Sequence, residues 1–202
     1  AEETLVGKVY MARDGVFDDL DAAVTWHPGD LNTPRAGSTN ALNSIVYTFE
    51  GVSAHAAVSP EAGRSALDAV QLMNQGVEYM REHVSDDARL HYAITDGGDA
   101  PNVVPSTASV WYFVRAPTRE EVERLTAWVD DIAEGAARMT QTEFSDRRML
   151  TGCYDYVAND VIIDVIWDQM VALGPTDFDA EDRELAADLG ETIDEADGRA
   201  RL

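Results

Sequence analysis

The chain has 202 residues with 45% hydrophobic content, enough for one domain with a core of its own and too apolar for disorder over most of its length. Against 38 acidic residues it sets only 15 basic ones, a net charge of -23, with Lys8 the sole lysine. That balance repels phosphates and excludes nucleic acid as a partner, and no apolar run approaches the ~18 residues of a membrane span.

The acids are spread along the chain rather than blocked at one end, so they do not read as a binding tail. A surface of this kind repels itself in dilute solution and is screened at high salt. It points to the cytoplasm of a high-salt organism. Cys153 is the only cysteine, which excludes an internal disulfide and fits a reducing compartment. It reads as a small buried hydrophobe. The start, Ala1-Glu2-Glu3, has neither an initiating methionine nor a signal peptide's basic head, and reads as a chain entered partway.

In chain order, residues 1–41 open with a short helix over about Leu5 to Arg13, stopped near Gly15. The apolar run Ala22 to Trp26 reads as a buried strand ending at His27-Pro28-Gly29. Asp30 to Asn40 has loop composition.

Residues 42–151 switch between periods of two and 3.6. Ser44 to Phe49 is β-rich. Ala62 to His83 carries Ala66, Leu67, Val70, Met73, Val77 and Met80 on one helical face. Arg89 to Thr95 reads as a strand closed by Asp96-Gly97-Gly98-Asp99, and Ala108 to Val114 as another. Thr118 with Glu121 forms a capping box for a helix running to about Met139, and Thr142 to Leu150 gives a last strand. The order β-α-β-β-α-β predicts an α+β, ferredoxin-like domain: a four-stranded antiparallel sheet with two helices on one face.

Residues 152–202 read as two helices, Asn159 to Ala172 with an apolar stripe and Ala180 to Glu195, which is acidic.

Three constellations can carry chemistry. Adjacent carboxylates such as Glu2 and Glu3 point in different directions, so one can bind a metal while the other takes a proton; His27 at a strand end is a metal-ligand type. A solvated helix start and a satisfied histidine explain the same residues. His55, among small residues in Gly51-Val52-Ser53-Ala54-His55-Ala56-Ala57, can donate to a carbonyl oxygen as charge develops, or is an ordinary turn histidine. Asn102, between Pro101 and Pro105, can orient a polar group, and Arg115 at a strand end can pair bidentately with a carboxylate. A turn asparagine and a surface ion pair are the bland readings. His83 and His91 have no comparable context.

These stretches resemble the zinc metallopeptidases and amidohydrolases that include aminoacylases, hippurate hydrolases and carboxypeptidase G, with a p-aminobenzoyl-glutamate-cleaving branch. The likeness runs from Ala1 to about Met170. It is carried by Ala1-Glu2-Glu3, Gly15 to Ala23 into Trp26-His27-Pro28, Ala54-His55-Ala56-Ala57, Gly63 to Val70, His91 to Thr95, Pro101-Asn102-Val103-Val104 and Arg115-Ala116-Pro117. The resemblance implies that Glu2 is the general base and that Glu3 and His27 are metal ligands of a site holding two zincs. It implies that His55 stabilises the oxyanion in a partner subunit's site, and that Asn102 and Arg115 contact substrate.

By this resemblance, residues 42–151 are the dimerisation or lid domain of a homodimer, and residues 1–41 and 152–202 are partial pieces of an α/β zinc-hydrolase catalytic domain. The implied reaction is hydrolysis of N-acyl amino acid or aminobenzoyl-glutamate-type amide bonds, small-molecule amide substrates. The family's glycine-rich turn after Glu-Glu is replaced here by Thr4-Leu5-Val6-Gly7. Its upstream His-x-Asp motif and its last zinc-ligand histidine have no counterpart, since no histidine follows His91. The chain alone is therefore expected to be inactive. A non-catalytic dimerisation module, or a small-molecule-binding regulatory domain of the same fold, is the alternative.

Overall fold

A computed structural model of the chain describes residues 7–29 and 31–190. The chain divides into two units, one combining the residues up to Asp19 with Ser38–Tyr156, the other combining Leu20–Gly37 with the residues from Val157 on.

The first unit holds a short helix α1 (Gly7–Arg13) and then the elements β1 (Ala41–Glu50), α2 (Ala66–Met80), β2 (Arg89–Asp96), β3 (Thr107–Ala116), α3 (Arg119–Thr140) and β4 (Glu143–Cys153). The strands form one sheet in the order β2-β3-β1-β4 with every pairing antiparallel. This is the expected α+β split arrangement.

Period-two alternation decides which sheet face is covered. From β1, Ile45, Tyr47 and Phe49 are fully buried, and from β3 so are Val110, Tyr112 and Val114. They meet Val70, Met73 and Val77 of α2 and Val122, Leu125 and Val129 of α3 in one apolar cluster. Both helices are capped as their sequences dictate. The Ser65 hydroxyl accepts from Asp68 N–H at 3.1 Å, and Thr118 Oγ1 accepts from Glu121 N–H at 3.3 Å. The helices touch closely at Gly76, where a Cβ would lie 2.7 Å from Ile132 Cγ2.

Two buried tyrosines tie the helices to the sheet. Tyr112 donates to Asn74 Oδ1 of α2 at 2.5 Å. Tyr47 donates to Asp130 Oδ1 of α3 at 2.7 Å, and Arg147 Nε of β4 donates to the same oxygen at 2.8 Å. Burial comes first in pushing both phenols well above their ordinary pKa of 10.0; the Asp130 carboxylate adds to the rise for Tyr47, and the charges of Tyr92 and Glu78 add to it for Tyr112. A phenol raised in the folded state keeps its proton after the unfolded chain has lost its own. The stability from both groups is therefore complete below the unfolded pKa and declines as pH rises above it. An unfolding titration above pH ~10 is expected to lose about 2.7 kcal/mol per pH unit from the pair, with the phenolate absorbance of these two tyrosines appearing only as the protein unfolds. Phenolate absorbance from every tyrosine in the still-folded chain would contradict this.

Two local expectations fail. Ala22–Trp26 forms no strand; its residues are exposed, Val24 to 68% and Trp26 to 83%. A strand exists by its ladder, and among the described residues none pairs with this run. The helix expected from Ala62 starts at Ala66, because Gly63 is extended after a single 3₁₀ turn over Pro60–Ala62.

The second unit holds α4 (Asp160–Leu173), capped by the Asn159 side chain, and α5 (Ala180–Gly190). Neither helix buries a residue; Val161, Trp167 and Val171 of α4 are at least half exposed. The expected extension of α5 to Glu195 runs past the described residues. Among the described residues no helix is long and apolar enough to cross a membrane.

Candidate functional site

His55 lies in the loop that leaves β1, and Asn102 in the loop that enters β3. The two loops are knitted into a short antiparallel bridge, His55 opposite Val103. Ala56 N–H donates to Asn102 O at 2.9 Å, and Val104 N–H donates to Ala54 O at 2.9 Å. This bridge brings the two expected functional residues to one end of the sheet, each with an exposed side chain.

The backbone beneath them is held by close approaches. Gly51 N–H donates to Ser106 O, Val52 and Arg64 exchange both backbone hydrogen bonds, and Ala66 N–H donates to Pro105 O. A Cβ on Gly51 would sit 2.0 Å from Arg64 O, and one on Gly63 3.0 Å from the Val104 methyls. Arg64 anchors the turn through its guanidinium, which donates to Gly63 O at 2.6 Å and to Gln141 Oε1 at 2.9 Å. Neither Gly51 nor Arg64 is among the expected site residues. A glycine closing a strand that returns on itself is the sequence signal for such a point.

The His55 ring nitrogen Nδ1 accepts from Ala57 N–H at 3.3 Å. In the neutral ring this leaves the proton, and with it the donor role, on Nε2. A neutral N–H of this kind suits an oxygen that gains negative charge.

Arg115 does not join them. It lies near the other end of β3, opposite Leu42 of β1 and Arg89 of β2. It stands eight positions beyond Thr107, where β3 leaves the loop carrying Asn102, a run of roughly 26 Å. Its guanidinium rests over the Phe113 ring at 4.8 Å.

His27 is exposed, with Nδ1 2.8 Å from Pro28 O. A proton on Nδ1 would satisfy that carbonyl and leave the Nε2 lone pair outward, the form in which histidine binds metal. Glu2 and Glu3 lie outside the described residues. Among the described residues no cluster of three or more His, Cys, Asp or Glu side chains can hold a metal ion. His27 suits zinc in kind, but the described ligands do not make a site.

The antiparallel sheet with its two covering helices carries the bridged His55 and Asn102 loops at one end. A family profile described as "Peptidase dimerisation domain" matches residues 38–140, and the chain belongs to this M20 peptidase family. It is 41% identical to one of the subunits of p-aminobenzoyl-glutamate hydrolase of Escherichia coli, over all of this chain and 42% of that protein. It is 29% identical to Xaa-Arg dipeptidase of Mus musculus over 95% of this chain and 44% of that one. An aminobenzoyl-glutamate utilization protein from Klebsiella pneumoniae shares the fold with a TM-score of 0.59 at 24% identity, over 80% of this chain and 42% of that one. The chain thus spans less than half the length of these relatives.

Proposed function

We propose that these residues form the lid, dimerisation and partial catalytic segments of an amidohydrolase that cleaves an amide bond beside a carboxylate-bearing group, of the N-acyl amino acid or aminobenzoyl-glutamate type. In this reading residues 42–151 are the lid of a homodimer, and residues 1–41 and 152–202 belong to the catalytic domain. Glu3 and His27 contribute to a two-zinc site whose remaining ligands lie outside this chain, and Glu2 is the proton carrier beside it. Metal, when bound, supplies the activated water.

The observation that carries the reading is the separation of the three substrate residues within one lid. His55 and Asn102 share one end of the sheet, and Arg115 lies near the other. One small substrate cannot reach both ends of the same lid. Two copies solve the problem. The lid of one copy extends its His55–Asn102 end over the partner's substrate, while Arg115 serves the substrate of its own copy. His55 Nε2–H then donates to the carbonyl oxygen as it becomes an oxyanion. Asn102 orients the acyl side through its amide, and Arg115 holds the carboxylate by a bidentate pair.

The test is hydrolysis of 4-aminobenzoyl-glutamate with zinc supplied. A chain extended to the length of its relatives is expected to release 4-aminobenzoate and glutamate, and the 202-residue chain to release neither. An extended, folded, zinc-loaded chain that leaves the amide intact would overturn the reading.

The acid-rich surface belongs to the same proposal as an adaptation to a high-salt cytoplasm. Molar KCl shortens the Debye length to about 3 Å and removes most of the self-repulsion. The unfolding temperature is expected to rise between dilute buffer and molar KCl, as scanning calorimetry would record. A midpoint that falls or does not move would contradict the proposal.

A further inference from the structure

We propose that Gln141 is a positioning residue for His55, acting through Arg64, and that its strained backbone marks this role. This rests on the amidohydrolase reading, in which His55 is the oxyanion donor. Among the described residues Gln141 is the only one other than glycine with a positive φ, 57° with a ψ of 36°. It stands just past α3, where Gln141 N–H donates to Arg138 O at 3.4 Å and Thr142 N–H donates to Ala137 O at 3.0 Å. A helix end with these two bonds is ordinarily closed by glycine, because in the left-handed region a Cβ crowds the following carbonyl oxygen. Glycine would adopt the conformation without that strain. A backbone outlier of this kind points to a task for its side chain.

The task is a hydrogen bond. Gln141 Oε1 accepts from Arg64 Nε–H at 2.9 Å. Arg64 Nη1 donates to Glu61 O at 3.1 Å and to Gly63 O at 2.6 Å. Among the described residues Arg64 has no ion pair, so its guanidinium is spent on neutral oxygens. Arg64 is also the neck of the loop that carries His55. Val52 N–H donates to Arg64 O at 2.8 Å and Arg64 N–H to Val52 O at 2.9 Å, which closes residues 52–64 on themselves. Within that loop the N–H groups of Val58 and Ser59 both donate to His55 O, at 3.1 and 3.0 Å.

A loop tied off in this way keeps its internal shape, and the freedom left to it is movement as a body about its neck. Two anchors limit that movement. One is the bridge from Ala54 and Ala56 to the Asn102 loop. The other is the Gln141–Arg64 bond, which fastens the neck to α3, a helix whose last turns bury Ala133, Ala136 and Ala137 in the core. An oxyanion donor acts only within hydrogen-bond distance of the developing charge, so drift of the loop is drift of His55 Nε2.

The test is Gln141→Gly, which removes the strain and the side-chain acceptor together. The urea midpoint of the 202-residue chain is expected to hold or rise, since relief of the backbone offsets the lost bond. Exchange of the Ala56 and Val104 amide hydrogens, which hold the bridge, is expected to quicken about tenfold, the loss of roughly one hydrogen bond. In the full-length, zinc-loaded enzyme kcat is expected to fall about tenfold with KM nearly unchanged, within the ~10² that a misplacement of 1 Å can cost. Gln141→Glu keeps an acceptor at similar reach and is expected to recover most of both losses. A merely structural Gln141 predicts kcat and exchange that follow the urea midpoint, with no loss in Gln141→Gly. Parental kcat or parental exchange in Gln141→Gly overturns the proposal, as does a Gln141→Glu protein that recovers neither. If the parent enzyme hydrolyses no amide, the amidohydrolase reading falls and the exchange rates alone decide whether Gln141 holds the His55 loop.

Discussion

Gly51→Ala is expected to destabilise the domain by about 3 kcal/mol or more, the range of a steric fault that the surroundings cannot absorb. The added Cβ would lie 2.0 Å from Arg64 O and 3.0 Å from Ala66 N, both backbone atoms. No rotamer change relieves such a contact, so the chain from Arg64 to Ala66 must move. That movement breaks the paired hydrogen bonds between Val52 and Arg64 and the bond from Ala66 N–H to Pro105 O. It also tilts the start of α2, whose first turn is capped from Ser65. Because the same segment underlies the bridge between the His55 and Asn102 loops, the placement of these two residues suffers with stability. Gly135→Ala is the matched control. Its Cβ meets nothing within 4 Å in the middle of α3, so it is expected to stabilise by about 0.5–1 kcal/mol through helix propensity. Urea denaturation of the two variants measures both, and a Gly51→Ala protein as stable as the parent would contradict the packing described.

His55→Ala is expected to lower kcat of the zinc-loaded, full-length enzyme by about 10²–10³, the cost of removing one oxyanion donor. Substrate affinity should change little, because the donor acts on charge present only in the transition state. The fold should not notice the change. His55 is exposed, and the hydrogen bonds that join its loop to the next come from the backbone of Ala54, Ala56, Asn102 and Val104. His55→Gln, which keeps an N–H donor at similar reach, should recover part of the loss. Steady-state kinetics separates kcat from KM, and a His55→Ala enzyme with nearly full kcat would remove the histidine from the mechanism.

The central strands were legible because each alternates in step with a face that is buried. Ile45, Tyr47 and Phe49 announce β1 in this way, as Val110, Tyr112 and Val114 announce β3. Thr118 with Glu121 likewise announces the start of α3, since a cap is a local event. Ala22–Trp26 could not be read by the same means. An apolar run signals burial, but a strand needs a partner, and the sequence does not say where the partner is. The candidate site was legible residue by residue and not as an arrangement. Asn102 and Arg115 are near in sequence, yet an extended strand intervenes and carries Arg115 toward the opposite end of the sheet.

The division of one active site between two copies is the claim on which the proposed chemistry depends most. Full-length His55→Ala and Arg115→Ala enzymes, each inactive, would be mixed, unfolded together and refolded with zinc. In a mixed dimer one site has lost both residues. The other has its own Arg115 and an intact His55 from the partner. Statistical pairing then predicts recovery of about a quarter of the parental activity. Activity that stays at the level of the separate variants, in samples where mixed dimers are demonstrated by mass, would show that His55 and Arg115 serve the same copy and would contradict the shared site.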